Sequence, residues 1–176
     1  SIELPKSMET ISGLGTIPAS VSKLYLPKNI KVIDPVSLIY TNSLDISEEN
    51  KYFDILNEKY LVDSSHKVLY WVSKLSSSVD DIPSTIEQVK ARAFANCKYL
   101  TEVIFNENIK VIEDRIFAGS NNLIRVEIPS SIEKISSYAF TNTNNLTEII
   151  IHKKRGEISG EPWGAVYGTR VITYDE

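Results

Sequence analysis

A single cysteine in 176 residues excludes an intrachain disulfide. With only two histidines, His66 and His152, no histidine pair at ligand spacing exists, so a zinc site is not expected. No uninterrupted apolar run approaches about 18 residues, which excludes a helical membrane span. Basic charge is also short, with 19 Lys and Arg against 23 Asp and Glu, and the longest basic run is Lys153, Lys154, Arg155. A net charge of −4 and a pI near 5.3 leave no basic stripe to release counterions from nucleic acid or an anionic membrane. The first residues, Ser1 to Pro5, lack a charged region followed by an apolar one, and a start without Met is expected of a processed or excised chain.

Catalytic groupings are equally scarce. Asp63, Ser64, Ser65 and His66 contain the residue types of a triad, but four neighbours in one tight turn cannot converge as nucleophile, base and orienter. His152 reads as a surface residue at a strand end. The pairs Glu48, Glu49 and Asp80, Asp81 lack the alternating oxygen ligands of a calcium loop. Gly13 and Gly15 lack the third glycine and following helix of a phosphate-binding loop. No catalytic, cofactor-binding or metal residue is therefore expected, and no enzyme.

What the chain has is a period. Phe94, Phe117 and Phe140 lie 23 apart, as do Leu100, Leu123 and Leu146. Ile86, Ile109 and Ile132 follow, then Val89, Ile112 and Ile135, and Val103, Val126 and Ile149; a further column runs Ile82, Phe105, Ile128 and Ile151. Every member is apolar in a chain that is 42% apolar. A fixed period of this length predicts a solenoid, one supersecondary unit stacked on its copies.

Within a repeat, Leu100, Val103 and Phe105 predict a turn entering a short strand. Stacked strands of this kind form a parallel sheet. Pro129 ends the strand in the third copy, and Ser136 to Phe140 predict one helical turn. Asn96, Gly119 and Asn142 then share a column of residues that tolerate a left-handed backbone. Cys97 shares its column with Ser120 and Thr143, so it is expected to be a small buried packing residue. Glu87, Lys110, Glu133 and Glu102, Arg125, Glu148 alternate in sign, as rungs about 5 Å apart require.

The run Ile82, Pro83, Ile86, Val89, Ala93, Phe94, Asn96, Cys97, Leu100 resembles the BspA-type leucine-rich repeat, and Ile128, Pro129, Ile132, Ile135, Ala139, Phe140, Leu146 match it again. In the middle copy Asn106 stands for the proline and Ile116 for the alanine. A degenerate copy matches Leu26, Pro27, Ile30, Ile33, Leu38 and Leu44 to Ile82, Pro83, Ile86, Val89, Phe94 and Leu100 at an offset of 56, which implies an insert of about 33 residues. A still weaker copy begins at Leu4, Pro5, Met8 and Ile11. After Ile151 the pattern reads as ended, with glycines at 156, 160, 164 and 168 and the segment Gly160 to Ala165 resembling the terminal segment that follows such repeats.

The expected architecture is a leucine-rich repeat solenoid of short parallel strands with short helical turns opposite, an inserted β-hairpin and a C-terminal Trp-containing cap. One domain of residues 1–176 is expected to comprise degenerate copies at 1–46, the insert at 47–79, regular repeats at 80–151 and the cap at 152–176. Trp163 would cover the last rung, and a strand from Arg170 to Tyr174 would close the sheet edge. The resemblance implies a noncatalytic extracellular binding module of a bacterial surface or secreted protein, its partner a protein or glycan on a target cell. A receptor-binding or tail-fibre component of a phage-like particle, and a purely structural domain of a larger surface protein, are the alternatives. The outward strand positions Glu102, Ile104, Arg125, Glu127, Glu148 and Ile150 are the expected partner-binding residues, unless the insert or cap folds over the isoleucines; the insert itself is the other expected site.

Overall fold

The computed structural model describes residues 1–173. In chain order its strands are β1 (Ile2–Glu3), β2 (Thr10–Ile11), β3 (Lys23–Leu26), β4 (Val32–Ile33), β5 (Ser43–Ile46), β6 (Phe53–Leu56), β7 (Tyr60–Asp63) and β8 (Val68–Val72). They continue as β9 (Ser78–Val79), β10 (Gln88–Val89), β11 (Glu102–Ile104), β12 (Val111–Ile112), β13 (Arg125–Ile128), β14 (Lys134–Ile135), β15 (Glu148–Ile151) and β16 (Arg170–Thr173). Tyr174 lies outside the described residues.

The 23-residue period builds the parallel sheet β9-β11-β13-β15-β16. Val103, Val126, Ile149 and Val171 stand in register along it. Alternation does the sorting: Val126 and Ile128 of β13 are buried while Arg125 and Glu127 point outward. A second ladder, β8-β10-β12-β14, runs along the return path and carries Leu69, Val89, Ile112 and Ile135 inward. Between the ladders the phenylalanines stack, Phe94 on Phe117 at 5.1 Å and Phe117 on Phe140 at 5.6 Å between ring centroids. Phe105 fills the gap, 6.0 Å from Phe94 and 6.3 Å from Phe117.

The return path is not helical as expected; among the described residues the only helix is a 3-10 turn at Pro35–Leu38. Consecutive tight turns replace it, with Ala93, Ala95 and Cys97 amides bonded to the carbonyls three residues back. Arg92 and Asn96, Arg115 and Gly119, and Asn142 have positive φ, and a right-handed helix cannot continue through such a residue. The left-handed column Asn96, Gly119, Asn142 is therefore present as expected. At Gly119, φ +79°, a Cβ would come within 2.3 Å of Asn96 Oδ1, so a larger residue there would have to displace the Asn96 amide.

The period does not end at Ile151. Trp163 lies 23 residues beyond Phe140, is 1% exposed, and meets Phe140 edge-on at 6.5 Å. The Phe140 amide donates to the Trp163 carbonyl at 3.1 Å. Strand β16 pairs in parallel with β15 over Glu148↔Arg170 to Ile151↔Thr173. The segment expected as a separate cap is a further rung, with tryptophan in the phenylalanine column.

Toward the N-terminus the spacing loosens. Ile2 pairs with Leu24 and Thr10 with Val32, 22 apart, which supports the copy read from Leu4 and Pro5. Leu24 pairs with Leu44, only 20 apart. Leu44 therefore occupies the Val103 column and not the Leu100 column read from the sequence. The Leu100-equivalent position is Thr41, buried with its Oγ1 unpartnered.

The insert is more than a hairpin. β6, β7 and β8 form an antiparallel meander, and β8 then pairs in parallel with β10 while β9 pairs with β11. Two rungs thus lie inside the stretch 47–79. Tyr60, Leu61 and Val62 are all fully buried, which requires cover on both faces of β7. Tyr60, Val62, Leu69 and Val72 pack into the C-terminal core. Phe53, Leu61 and Trp71 pack into the N-terminal one. The meander is a septum between two cores: β7 is interior, whereas β6, at the edge of its sheet, is half-buried beyond Phe53.

Asparagines tie the rungs together. Asn50 Nδ2 donates to the carbonyls of Pro27 and Ile30, both at 3.0 Å, and its Oδ1 accepts from the amides of Tyr52 and Phe53. Asn106, 56 residues later, repeats this on Pro83 at 2.9 Å and Ile86 at 3.4 Å. Replacing proline by Asn106 therefore adds a side-chain clamp to the preceding rung.

Candidate functional site

The outward face of the β11-β13-β15-β16 sheet gathers all six expected positions. Glu102, Arg125, Glu148 and Arg170 stand in one register column, and Ile104, Glu127, Ile150 and Ile172 in the next but one. Because side chains alternate, both columns point away from the core.

Charge organises the face around Arg125. Its guanidinium pairs with Glu102, with Glu127 at 2.5 Å and with Glu148 at 3.4 Å. Arg170 extends the row to Glu148 at 2.5 Å, and His152 Nε2 lies 2.7 Å from Glu127. The hydrogen bond with His152, supported by Arg125, holds the Glu127 carboxyl below the usual glutamate range; Arg170 does the same for Glu148. Arg125 is about one-third exposed, so each pair contributes about 0–1 kcal/mol, but the shared guanidinium fixes four side chains in one geometry.

The isoleucines are less exposed than the strand pattern alone predicts. Ile150 is 8% exposed and Ile104 half-buried. No strand of the insert lies over them: β6 to β8 belong to the other ladder, and β9 sits beside β11 within the same sheet. Ile150 is flanked by Glu127 on one side and by Ile172 of the C-terminal segment on the other. Ile124, 49% exposed, adds apolar surface at the entrance to β13. Arg170, Ile172 and His152 join the face unforeseen. Their signal was present, because Arg170 follows Glu148 by 22 residues, close to the period.

The other chemical groupings stay apart. His66 Nε2 meets Asp54 at 2.7 Å, whereas Ser65 turns to Asp63, whose Oδ1 accepts from the amides of Lys67 and Val68. This is a turn closure and not a triad. Asp81 is engaged by Lys59 at 2.6 Å and by the Tyr60 hydroxyl; Glu49 is held by Lys28 at 2.9 Å. Among the described residues no three His, Cys, Asp or Glu side chains gather as metal ligands. Cys97 is buried, its amide bonded to Ser120 Oγ at 3.0 Å, and burial pushes its thiol pKa up.

The model of the BspA type leucine-rich repeat region matches residues 64–164 in six copies. The chain belongs to that family. The match starts ahead of β8 and ends beyond Trp163, in keeping with the extra rungs at both ends. No curated protein matches the chain. Among solved structures it is similar to a leucine-rich repeat protein from Eubacterium ventriosum, at 17% identity and a TM-score of 0.66, over 98% of this chain and 54% of that one. A leucine-rich repeat protein from Bacteroides ovatus is similar at 15% identity and a TM-score of 0.50, over 99% of this chain and 42% of the other. The chain spans about half the length of the first, and at these identities the likeness concerns the fold. Repeats of this family are generally noncatalytic interaction modules.

Proposed function

We propose that this BspA-type leucine-rich repeat chain is a noncatalytic binding module of a bacterial cell-surface or secreted protein, and that it contacts a protein or glycan partner through the outward face of its parallel sheet. The observation that supports this is the face itself. Three glutamates, two arginines and His152 are held by one another, beside Ile104, Ile124 and Ile172, on rungs whose spacing the core fixes. Preset side chains lose little entropy on binding, and mixed charge around a partly apolar centre suits a selective contact.

Glycan arrays and whole-cell binding by the full chain test this, with Ile104→Lys and Arg125→Ala as the face variants and far-UV circular dichroism as the fold control. Both variants are expected to weaken binding at least tenfold while leaving the spectrum unchanged. Undiminished binding by both would refute the assignment of the face. Binding to bacterial cells in preference to host cells would favour the phage-type alternative, and silence of the parent chain on every surface would leave a structural domain.

A further inference from the structure

The boundary between the N-terminal rungs and the C-terminal ladder leaves a pocket of about 220 Å3, lined by Ser22, Tyr40, Asn42, Lys74, Asn96 and Lys98 among others. Its walls are bound together across the boundary. The Lys74 amide donates to the Asn42 carbonyl at 3.1 Å, Ser73 Oγ to the same carbonyl at 3.2 Å, and Asn96 Nδ2 to the Ile39 carbonyl at 3.1 Å.

Lys74 is the anomaly. It is 3% exposed, and its Nζ has the Ala93 carbonyl at 3.3 Å and the Trp71 ring centroid at 5.4 Å. Among the described residues no carboxylate lies within ion-pairing distance of it, and no lining residue is acidic. Its other close neighbour is Cys97, whose side chain hydrogen-bonds the amine and whose pKa burial pushes up. Burial also pulls the Lys74 amine pKa down, the expected response of a cation without a counter-charge. A buried lysine without an acidic partner is costly. Lys98 lines the same pocket. An anion entering there would meet two lysines and no competing carboxylate.

The rest of the lining narrows the anion. The volume is below the roughly 300–1,000 Å3 of drug-sized sites, so one small unit fits. Tyr40 is about half exposed and offers an amphipathic ring. Asn42 and Asn96 bring amides that can both donate and accept, as hydroxyl-rich ligands require. The geometry points to a seat for the carboxylate-bearing unit of an acidic glycan, with Lys74 and Lys98 facing the carboxylate and Tyr40, Asn42 and Asn96 facing the sugar ring. This site is separate from the strand face and does not depend on that face being functional.

Calorimetric titration of the full chain with glucuronate, glucose, acetate and a short peptide ending in a free carboxylate tests the assignment. Glucuronate is expected to saturate one site and to bind at least tenfold tighter than the other three. Lys74→Met is expected to abolish this binding; Lys98→Met and Tyr40→Ala, at more exposed positions, are each expected to weaken it about tenfold, equivalent to about 1.4 kcal/mol. The face variants Ile104→Lys and Arg125→Ala should leave it unchanged. Should Lys74→Met fail to fold by circular dichroism, the Lys98 and Tyr40 variants decide. Equal binding of acetate or of the peptide would overturn the sugar assignment, and glucuronate binding no tighter than glucose, or untouched by Lys98→Met and Tyr40→Ala, would overturn the site.

Discussion

Removing the Trp163 indole should unfasten one end of the molecule while leaving the other intact. The ring is almost fully buried, meets Phe140 edge-on, and donates from Nε1 to the Ser159 carbonyl at 2.7 Å. Burial of about 200 Å2 at about 25 cal/mol per Å2 gives about 5 kcal/mol as an upper bound. Indole freed from its single rotamer recovers about 1 kcal/mol of entropy, so Trp163→Ala should cost about 3–5 kcal/mol, in the range of aromatic truncations in cores. Phe117→Ala should cost about as much, since Phe117 is gripped between Phe94 and Phe140. The two differ in where the loss is felt. In a stacked array stability is the sum of rung and neighbour terms, so a terminal defect frays locally and a central one weakens the whole. Urea unfolding followed by circular dichroism, with amide exchange on β16, separates them. Trp163→Ala should expose the β16 amides before the main transition; Trp163→Phe should restore most of the loss by refilling the column. A Trp163→Ala chain with unchanged β16 protection, or a phenylalanine variant no better than alanine, would refute the placement of Trp163 as a rung.

Three further outcomes are expected. Arg125→Glu sets three glutamates in adjacent rungs and a fourth, Glu127, beside them; stability should fall by about 1 kcal/mol at low salt and recover partly at 0.5 M salt, and a salt-independent melting temperature would show that the column is not electrostatically coupled. Gly119→Ala, at φ +79° with a Cβ 2.3 Å from Asn96 Oδ1, should cost about 1–3 kcal/mol by denaturant titration, and a neutral effect would contradict the turn geometry. The folded-state pKa of Glu127 is depressed, so its pairing stabilises the chain above the unfolded glutamate value of about 4.3 and that stability is lost as pH falls through the folded pKa. Glu127→Gln should therefore flatten the acid limb of a melting-temperature profile below about pH 4.3, and parallel profiles for the two chains would disprove the linkage.

The regular rungs were legible because one column keeps one chemistry: Phe94, Phe117 and Phe140 announce their own spacing. Legibility failed wherever the residue type changed while the position did not. Trp163 keeps the 23-residue step, but glycines and Pro162 around it mask the register as a terminus. Leu44 misled in the opposite way, keeping the residue type while the coil had shortened to 20 residues. In β7 the usual alternation disappears because Tyr60, Leu61 and Val62 are covered on both sides, helped by a register shift between Leu61 and Val62. All six face positions were readable from strand alternation alone. Their ion-pair network was readable only as columns, since Arg125 reaches along its own strand to Glu127 as well as across to its neighbours.

Septum and seam are two consequences of one event. A repeat array tolerates an extra segment only if the rungs on either side regain apolar cover, and β6 to β8 provide it by giving one set of side chains to each core. The same detour stops the outward sheets from joining, because β5 ends one and β9 begins the other. Where they part, the coil closes through Ser73 and Lys74 on the Asn42 carbonyl in place of a strand ladder. Lys74 is thus brought inside by the backbone path at a position where the regular repeats carry Lys98, Asn121 and Asn144, all placed at the surface. An insertion that a solenoid accommodates for packing reasons has in this way created a recess lined by Lys74 and Lys98 that no uninterrupted run of 23-residue rungs would contain.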